Sequence, residues 1–248
     1  MFTVNTTISG RLEQVNKTAI VRLACIAAGL GLWYVSQRLL ARRDSGTSGG
    51  TSGGTSSGTA GGGVLIDDSI HRHTAGLNRY LRDHPPVADR LLVVSSLVID
   101  LLGIYVFVLA IAGPSFEPFI GLLILFGMRQ VCQALCPLPP PPGMIWRHPG
   151  FPSLLVTYGT ANDMFFSGHT SLAVFGAATL AAHAGMTGCA IGWAVVAFEI
   201  STVLVLRAHY TLDVLAGVIA ALYARRLGLD ISPVVDRWIG DVVAMMGR

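Results

Sequence analysis

Two short strings hold the polar side chains best suited to chemistry: Phe166-Ser167-Gly168-His169-Thr170-Ser171 and His209-Tyr210-Thr211-Leu212-Asp213. The spacing from His209 to Asp213 is i, i+4, which sets a carboxylate beside an imidazole on one helix face. A carboxylate accepting from one ring nitrogen leaves the other with its lone pair available and stabilises positive charge on the ring. This is how a histidine becomes a nucleophile. His169 has no such partner in its own string and suits the complementary task, a general acid that protonates a departing oxygen and then takes the proton of an incoming hydroxyl. Gly168 lets backbone approach a substrate, and the N–H groups opening a helix after Ser167 can hold phosphate oxygens. The scheme requires no metal and no cofactor.

These strings are embedded in a chain that is 52% hydrophobic and 12% charged, with a mean hydropathy of +0.60. Soluble domains run at roughly 45–50% apolar and 25% charged. The bilayer is the solvent that fits, and ionisable side chains in membrane helices are functional candidates by default. A net charge of +3 without a long basic block excludes nucleic acid as a partner. The cysteines, Cys25, Cys132, Cys136 and Cys189, have no CxxC or zinc spacing and read as core thiols.

The positioning elements follow from hydropathy. Residues 19–40 form a first apolar stretch broken by Arg22 and Arg38, and residues 91–112 a clear span with the single charge Asp100. Residues 119–135 form a third. Stretches at 167–184, 188–206 and 212–223 complete about six spans, or five if the first is an interfacial helix, of an all-α, polytopic membrane helix bundle. The helix from Ser167 leaves one face, the next returns to it, and the helix from Tyr210 leaves again, so His169 and His209 are expected on the same face.

Four regions follow: 1–44, an N-terminal hydrophobic helix with its flanks; 45–63, a Gly/Ser/Thr-rich flexible linker; 64–228, the catalytic membrane unit; and 229–248, a tail able to form an amphipathic surface helix. Within the third, residues 67–90 read as a solvated surface helix that bears His71, His73 and His84. The Pro- and Gly-rich stretch 136–163 is a long irregular loop of the kind that carries function. His148 and His183 read as packing groups.

At these residues the sequence resembles the lipid phosphatase and phosphotransferase (PAP2-related) superfamily, and more closely its sphingomyelin synthase-like branch. That branch includes the plant enzyme exchanging phosphocholine between phosphatidylcholine and diacylglycerol. The resemblance is carried by Arg129, the prolines of 137–142, Asp163-Met164-Phe165-Phe166 leading into Ser167-Gly168-His169-Thr170, and His209-Tyr210-Thr211 with Asp213. It implies His209, His169 and Asp213 as catalytic residues, and Arg129, Ser167, Gly168, Asp163, Tyr210 and Arg207 as substrate-binding ones. It also implies transfer of a phosphocholine-type head group from a phospholipid donor to a lipid alcohol, ceramide or diacylglycerol, through a phosphohistidine, by a multi-pass integral membrane protein with a cytosolic C-terminus and its chemistry on the far side. A homo-oligomer is left open.

The departures are informative. An arginine precedes the second histidine by six residues in the phosphatases, but here that position is Val203, and the chain's one lysine is Lys17. Positive charge near the site falls instead to Arg129, Arg147 and Arg207, able to hold phosphoryl oxygens by bidentate contact. The alternatives are a lipid phosphate phosphatase or phospholipase C-like hydrolase using the same His/His/Asp site, and a membrane scaffold in which the histidines only pack helices.

Overall fold

A computed structural model describes residues 2–47, 66–136, 138–156, 158 and 165–247, and among them every regular element is a helix. In chain order these are α1 (Phe2–Thr47), α2 (Ser69–His73), α3 (Ala75–Asp83), α4 (Pro85–Ala112), α5 (Glu117–Leu135), α6 (Gly168–Val205) and α7 (Thr211–Met245). The protein is an all-α helix bundle of membrane type. Most of the region expected as a linker, and Asp163 of the candidate site, lie outside the described residues.

Local sequence explains the boundaries. Pro85 and Pro86 open α4, where a missing N–H costs nothing, and Gly113-Pro114 closes it. Pro118 opens α5 in the same way. Among the described residues four helices are long and apolar enough to cross a bilayer: Glu13–Leu39 within α1, α4, α5 and α6. Asp213, Arg225 and Arg226 interrupt the apolar run of α7, which is not among them.

The 38 residues of α6 would extend about 57 Å at 1.5 Å per residue, nearly twice the roughly 30 Å hydrocarbon core. The helix does not run straight. At Gly185, φ 57° and ψ −137° break it, a conformation open chiefly to glycine. The arms fold back on each other, so that a Cβ on Gly192 would lie 2.9 Å from that of Ala177. This reversal falls between the two stretches read from hydropathy and returns the chain to the end of the bundle where it began.

The main core gathers Ile99 and Val106 of α4, Leu122 and Leu125 of α5, Phe175 of α6 and Ala221 and Ala224 of α7. A second cluster joins Val21 and Ile26 of α1 to Phe116, Phe119, Ile239 and Val243. The segment expected as an amphipathic tail is helical, as the last turns of α7, and packs Ile239 and Val243 on α1. Arg22, a break in the first apolar stretch, is buried here. It donates to the Gly113 carbonyl at 2.7 Å and pairs with Asp236 at 3.4 Å, while Asp236 accepts from the Phe116 N–H at 2.9 Å and the Ser115 hydroxyl at 2.7 Å. Cys25, Cys132 and Cys189 are half-buried, Cys136 is exposed, and all four are unpaired thiols.

Candidate active site

Both histidine strings sit at helix starts, and their caps build the site. Ser167 is the N-cap of α6, its hydroxyl accepting from the Thr170 N–H at 3.3 Å. Asp213, three residues into α7 from the cap Tyr210, reaches back so that its Oδ2 accepts from the Tyr210 N–H at 2.9 Å. The two caps are joined: the Ser167 N–H donates to the Asp213 carbonyl at 3.1 Å. Gly217 permits this, because a Cβ there would stand 2.9 Å from the Ser167 carbonyl oxygen.

Around this seam Ser167 and Asp213 are fully buried, and His169 and His209 are exposed by only 7% and 6%. His209 Nδ1 lies 3.8 Å from Asp213 Oδ2, an ion-pair distance rather than a hydrogen bond. His169 is within electrostatic reach of both His209 and Arg129. Its Nε2 is buried with no hydrogen-bond partner among the described residues, and Trp146 meets its ring edge-on at 5.1 Å between centroids. Arg129 comes from α5 and donates through Nε to the Phe166 carbonyl at 3.2 Å. The space left by the missing Gly168 side chain is filled by this guanidinium, 3.3 Å from where a Cβ would be. Arg129, Ser167, Gly168, His169, His209, Tyr210 and Asp213 are therefore brought together.

Arg207 and Arg147 are used differently. Arg207, at φ 54°, donates to the Pro142 carbonyl at 2.6 Å and the His71 carbonyl at 3.2 Å, pinning the proline-rich loop and α2 over the site. Arg147 pairs with Asp89 at 2.7 Å near the start of α4. His183 bonds within its own helix to the Thr179 carbonyl, and His148 accepts from the Gly150 N–H.

The polar stretch 67–90 is largely exposed, as expected of a surface helix, but it turns one buried face to the site. His71 is buried, with Nε2 3.0 Å from the His209 carbonyl, and its ring stacks on Tyr210 at 5.9 Å. Asp68 accepts from the Thr211 N–H at 2.7 Å and the Thr211 hydroxyl at 2.8 Å while capping α2. Burial raises the Asp68 carboxyl, but the bonds from Thr211 and His71 outweigh it and hold the group below its ordinary value. Burial, then Asp213 and Asp68, push the Tyr210 phenol up. Asn78, fully buried, donates to the Val205 and Gly143 carbonyls at 2.9 and 3.2 Å. His73 bonds to Ser69 instead, so the two imidazoles of the His-x-His pair are committed to different partners. Nothing in local spacing marks His71, Asp68 or Asn78.

The long loop dips between the helices. Asp100, in the middle of α4, accepts from the Leu154 and Leu155 N–H groups at 2.8 and 2.9 Å, and Val156 joins the main core. Irregular backbone at membrane depth is tolerated when protein supplies its hydrogen bonds.

Fold and site define the class as an all-helical membrane protein with a buried histidine and carboxylate centre at one end of its bundle. Residues 68–229, about two thirds of the chain, match the AtPDCT1/2 family model. The chain belongs to that family, the plant phosphatidylcholine:diacylglycerol cholinephosphotransferases. The match begins at Asp68, the first residue of the belt around His209. No curated protein and no solved structure matches the chain.

Proposed function

We propose that the chain is a multi-pass lipid phosphotransferase that moves phosphocholine from phosphatidylcholine to a lipid alcohol, diacylglycerol by family and ceramide by resemblance to the sphingomyelin synthase-like branch. The observation that carries this reading is the Ser167-to-Asp213 backbone bond, which unites the two histidine strings in one buried centre. In the first half-reaction His209 Nε2, the nitrogen remote from Asp213, attacks phosphorus. The bond from phosphorus to the diacylglycerol oxygen breaks, and His169 gives that oxygen its proton. The head group is then held as a phosphohistidine.

In the second half-reaction the acceptor hydroxyl gives its proton to His169 while its oxygen attacks phosphorus. The bond to His209 breaks and the imidazole regains its electron pair. Asp213 stabilises the charge that develops on the His209 ring. Arg129 neutralises phosphoryl oxygens as they gain charge, and the N–H groups after Ser167 add donors. Asp163, Tyr210 and Arg207 complete the substrate-binding set, and residues 64–228 form the catalytic unit.

Two features favour a lipid alcohol over water as acceptor. The histidines are almost fully enclosed. An apolar groove of 340 Å³, lined by Val174, Ala177, Ala181, Trp193, Val196 and Leu222, runs between the arms of α6 and α7 below the site, where an acyl chain fits. The test uses purified protein with phosphatidylcholine and fluorescent diacylglycerol or ceramide. Labelled phospholipid from wild type and none from His209→Ala supports transfer; release of free phosphocholine without labelled lipid identifies a hydrolase.

A further inference from the structure

Glu199 has no part in the phosphoryl chemistry above, yet it is completely buried on the second arm of α6. The Ser95 hydroxyl of α4 donates to its Oε2 at 2.6 Å, while its Oε1 is buried without a hydrogen-bond partner among the described residues. Among those residues no basic side chain forms an ion pair with it. A carboxyl enclosed among membrane helices and satisfied on one oxygen is costly to ionise; it rests neutral or ionises against a cation that offsets the cost. Asp100, the other carboxylate nearby, is already occupied by the Leu154 and Leu155 amides.

The neighbours of Glu199 lead back to the site. Ser96, next to Ser95, shares a hydrogen bond with the Tyr158 hydroxyl. Burial pushes the Tyr158 phenol up, and Asp100 and Glu199 add to this against the Ser96 bond, so the field of Glu199 reaches that hydroxyl. The Tyr158 ring lies 4.8 Å from Trp146, and Trp146 touches His169. His169 therefore has two unlike neighbourhoods. Arg129 and His209 suit a phosphate; two aromatic rings leading to an unpaired carboxylate suit an organic cation, which binds to ring faces and gains most when desolvated.

We propose that Glu199, with Trp146 and Tyr158, forms the pocket for a quaternary ammonium head group and makes the enzyme select donors that carry a fixed positive charge. This rests on the transferase reading, from which its test is separable. The full-length His209→Ala protein, unable to turn over, is titrated with phosphocholine and with glycerol 3-phosphate by tryptophan fluorescence. Phosphocholine should bind roughly 10-fold tighter or more. Adding Glu199→Gln or Trp146→Leu should erase that preference and leave glycerol 3-phosphate affinity unchanged.

A preference that survives both changes, equal loss of both ligands in a folded variant, or no preference in the parent overturns the pocket. If Glu199→Gln does not fold, Trp146→Leu decides alone. A second arm compares transfer from phosphatidylcholine and phosphatidylglycerol. No transfer by wild type, together with Glu199-dependent phosphocholine binding, rejects the transferase reading and keeps the pocket; transfer indifferent to Glu199 and Trp146 rejects the pocket alone.

Discussion

His71 and His209 are 138 residues apart, and the ring of the first meets the backbone carbonyl of the second at 3.0 Å. Because the acceptor is a carbonyl, His71 must donate, which fixes its tautomer with hydrogen on Nε2. The bond holds the His209 backbone from the side opposite to sequence, through a short helix that hydropathy gives no reason to notice. His71→Ala should reduce kcat about 10-fold or more, as misplacement of a reacting group does. KM for the lipid donor should change little. Steady-state kinetics separating the two checks this; a pure KM effect would make His71 a substrate contact.

Asp213 serves both in the capping box of α7, bonding the Tyr210 N–H, and as the charge beside His209. Asp213→Asn can still accept from the Tyr210 N–H but has no negative charge, so turnover should fall by about 10²–10⁴ while thermal stability is nearly kept. Asp213→Ala should lose activity equally and about 1 kcal/mol of stability besides. Melting curves in detergent, run beside the activity assay, separate the two roles.

Asp68 predicts an acid limb in stability. Its folded-state carboxyl is held below the ordinary value, so its contribution is fully present above the unfolded value of about 3.9. It is lost as pH falls through the folded value. Wild-type melting temperature should therefore drop below about pH 4, and Asp68→Asn should show a smaller drop from a lower starting point. Identical pH profiles would remove Asp68 from the account.

Asp100 anchors the dipping loop through two amide hydrogen bonds. Each bond to a charged acceptor contributes about 1.5–3 kcal/mol, and Asp100→Leu leaves both amides unsatisfied at membrane depth. Loss of loop order should appear as new protease cleavage between residues 150 and 158, together with a lower melting temperature. Cleavage as slow as in wild type would show that the loop is held elsewhere.

Much of the architecture is legible in hydropathy because a membrane helix announces itself by length and composition. The turn between 184 and 188 is marked by Gly185, and the two histidine strings are legible because their residue types and the i, i+4 spacing are local. The belt of Asp68, His71 and Asn78 is not, since it acts on backbone groups 65 to 143 residues away. A buried imidazole that bonds a carbonyl has the same sequence appearance as a solvated one. Asp100 and Arg22 read as interruptions of apolar runs, yet both are anchors whose partners are carbonyls, amides and a carboxylate distant in the chain. Arg207 reads as a phosphate ligand from its position beside His209, and nothing local shows that its guanidinium also ties down the Pro142 and His71 carbonyls.

The Arg22 knot limits what can be cut away. Helix α1 and the last turns of α7 both lie outside residues 68–229, yet Arg22 and Asp236 close the carbonyl end of α4 and the amide end of α5. A chain trimmed to the family-matched stretch would carry an open seam of unmet backbone groups beside bare Phe116 and Phe119. The stretch that matches the family is therefore smaller than the unit that packs together.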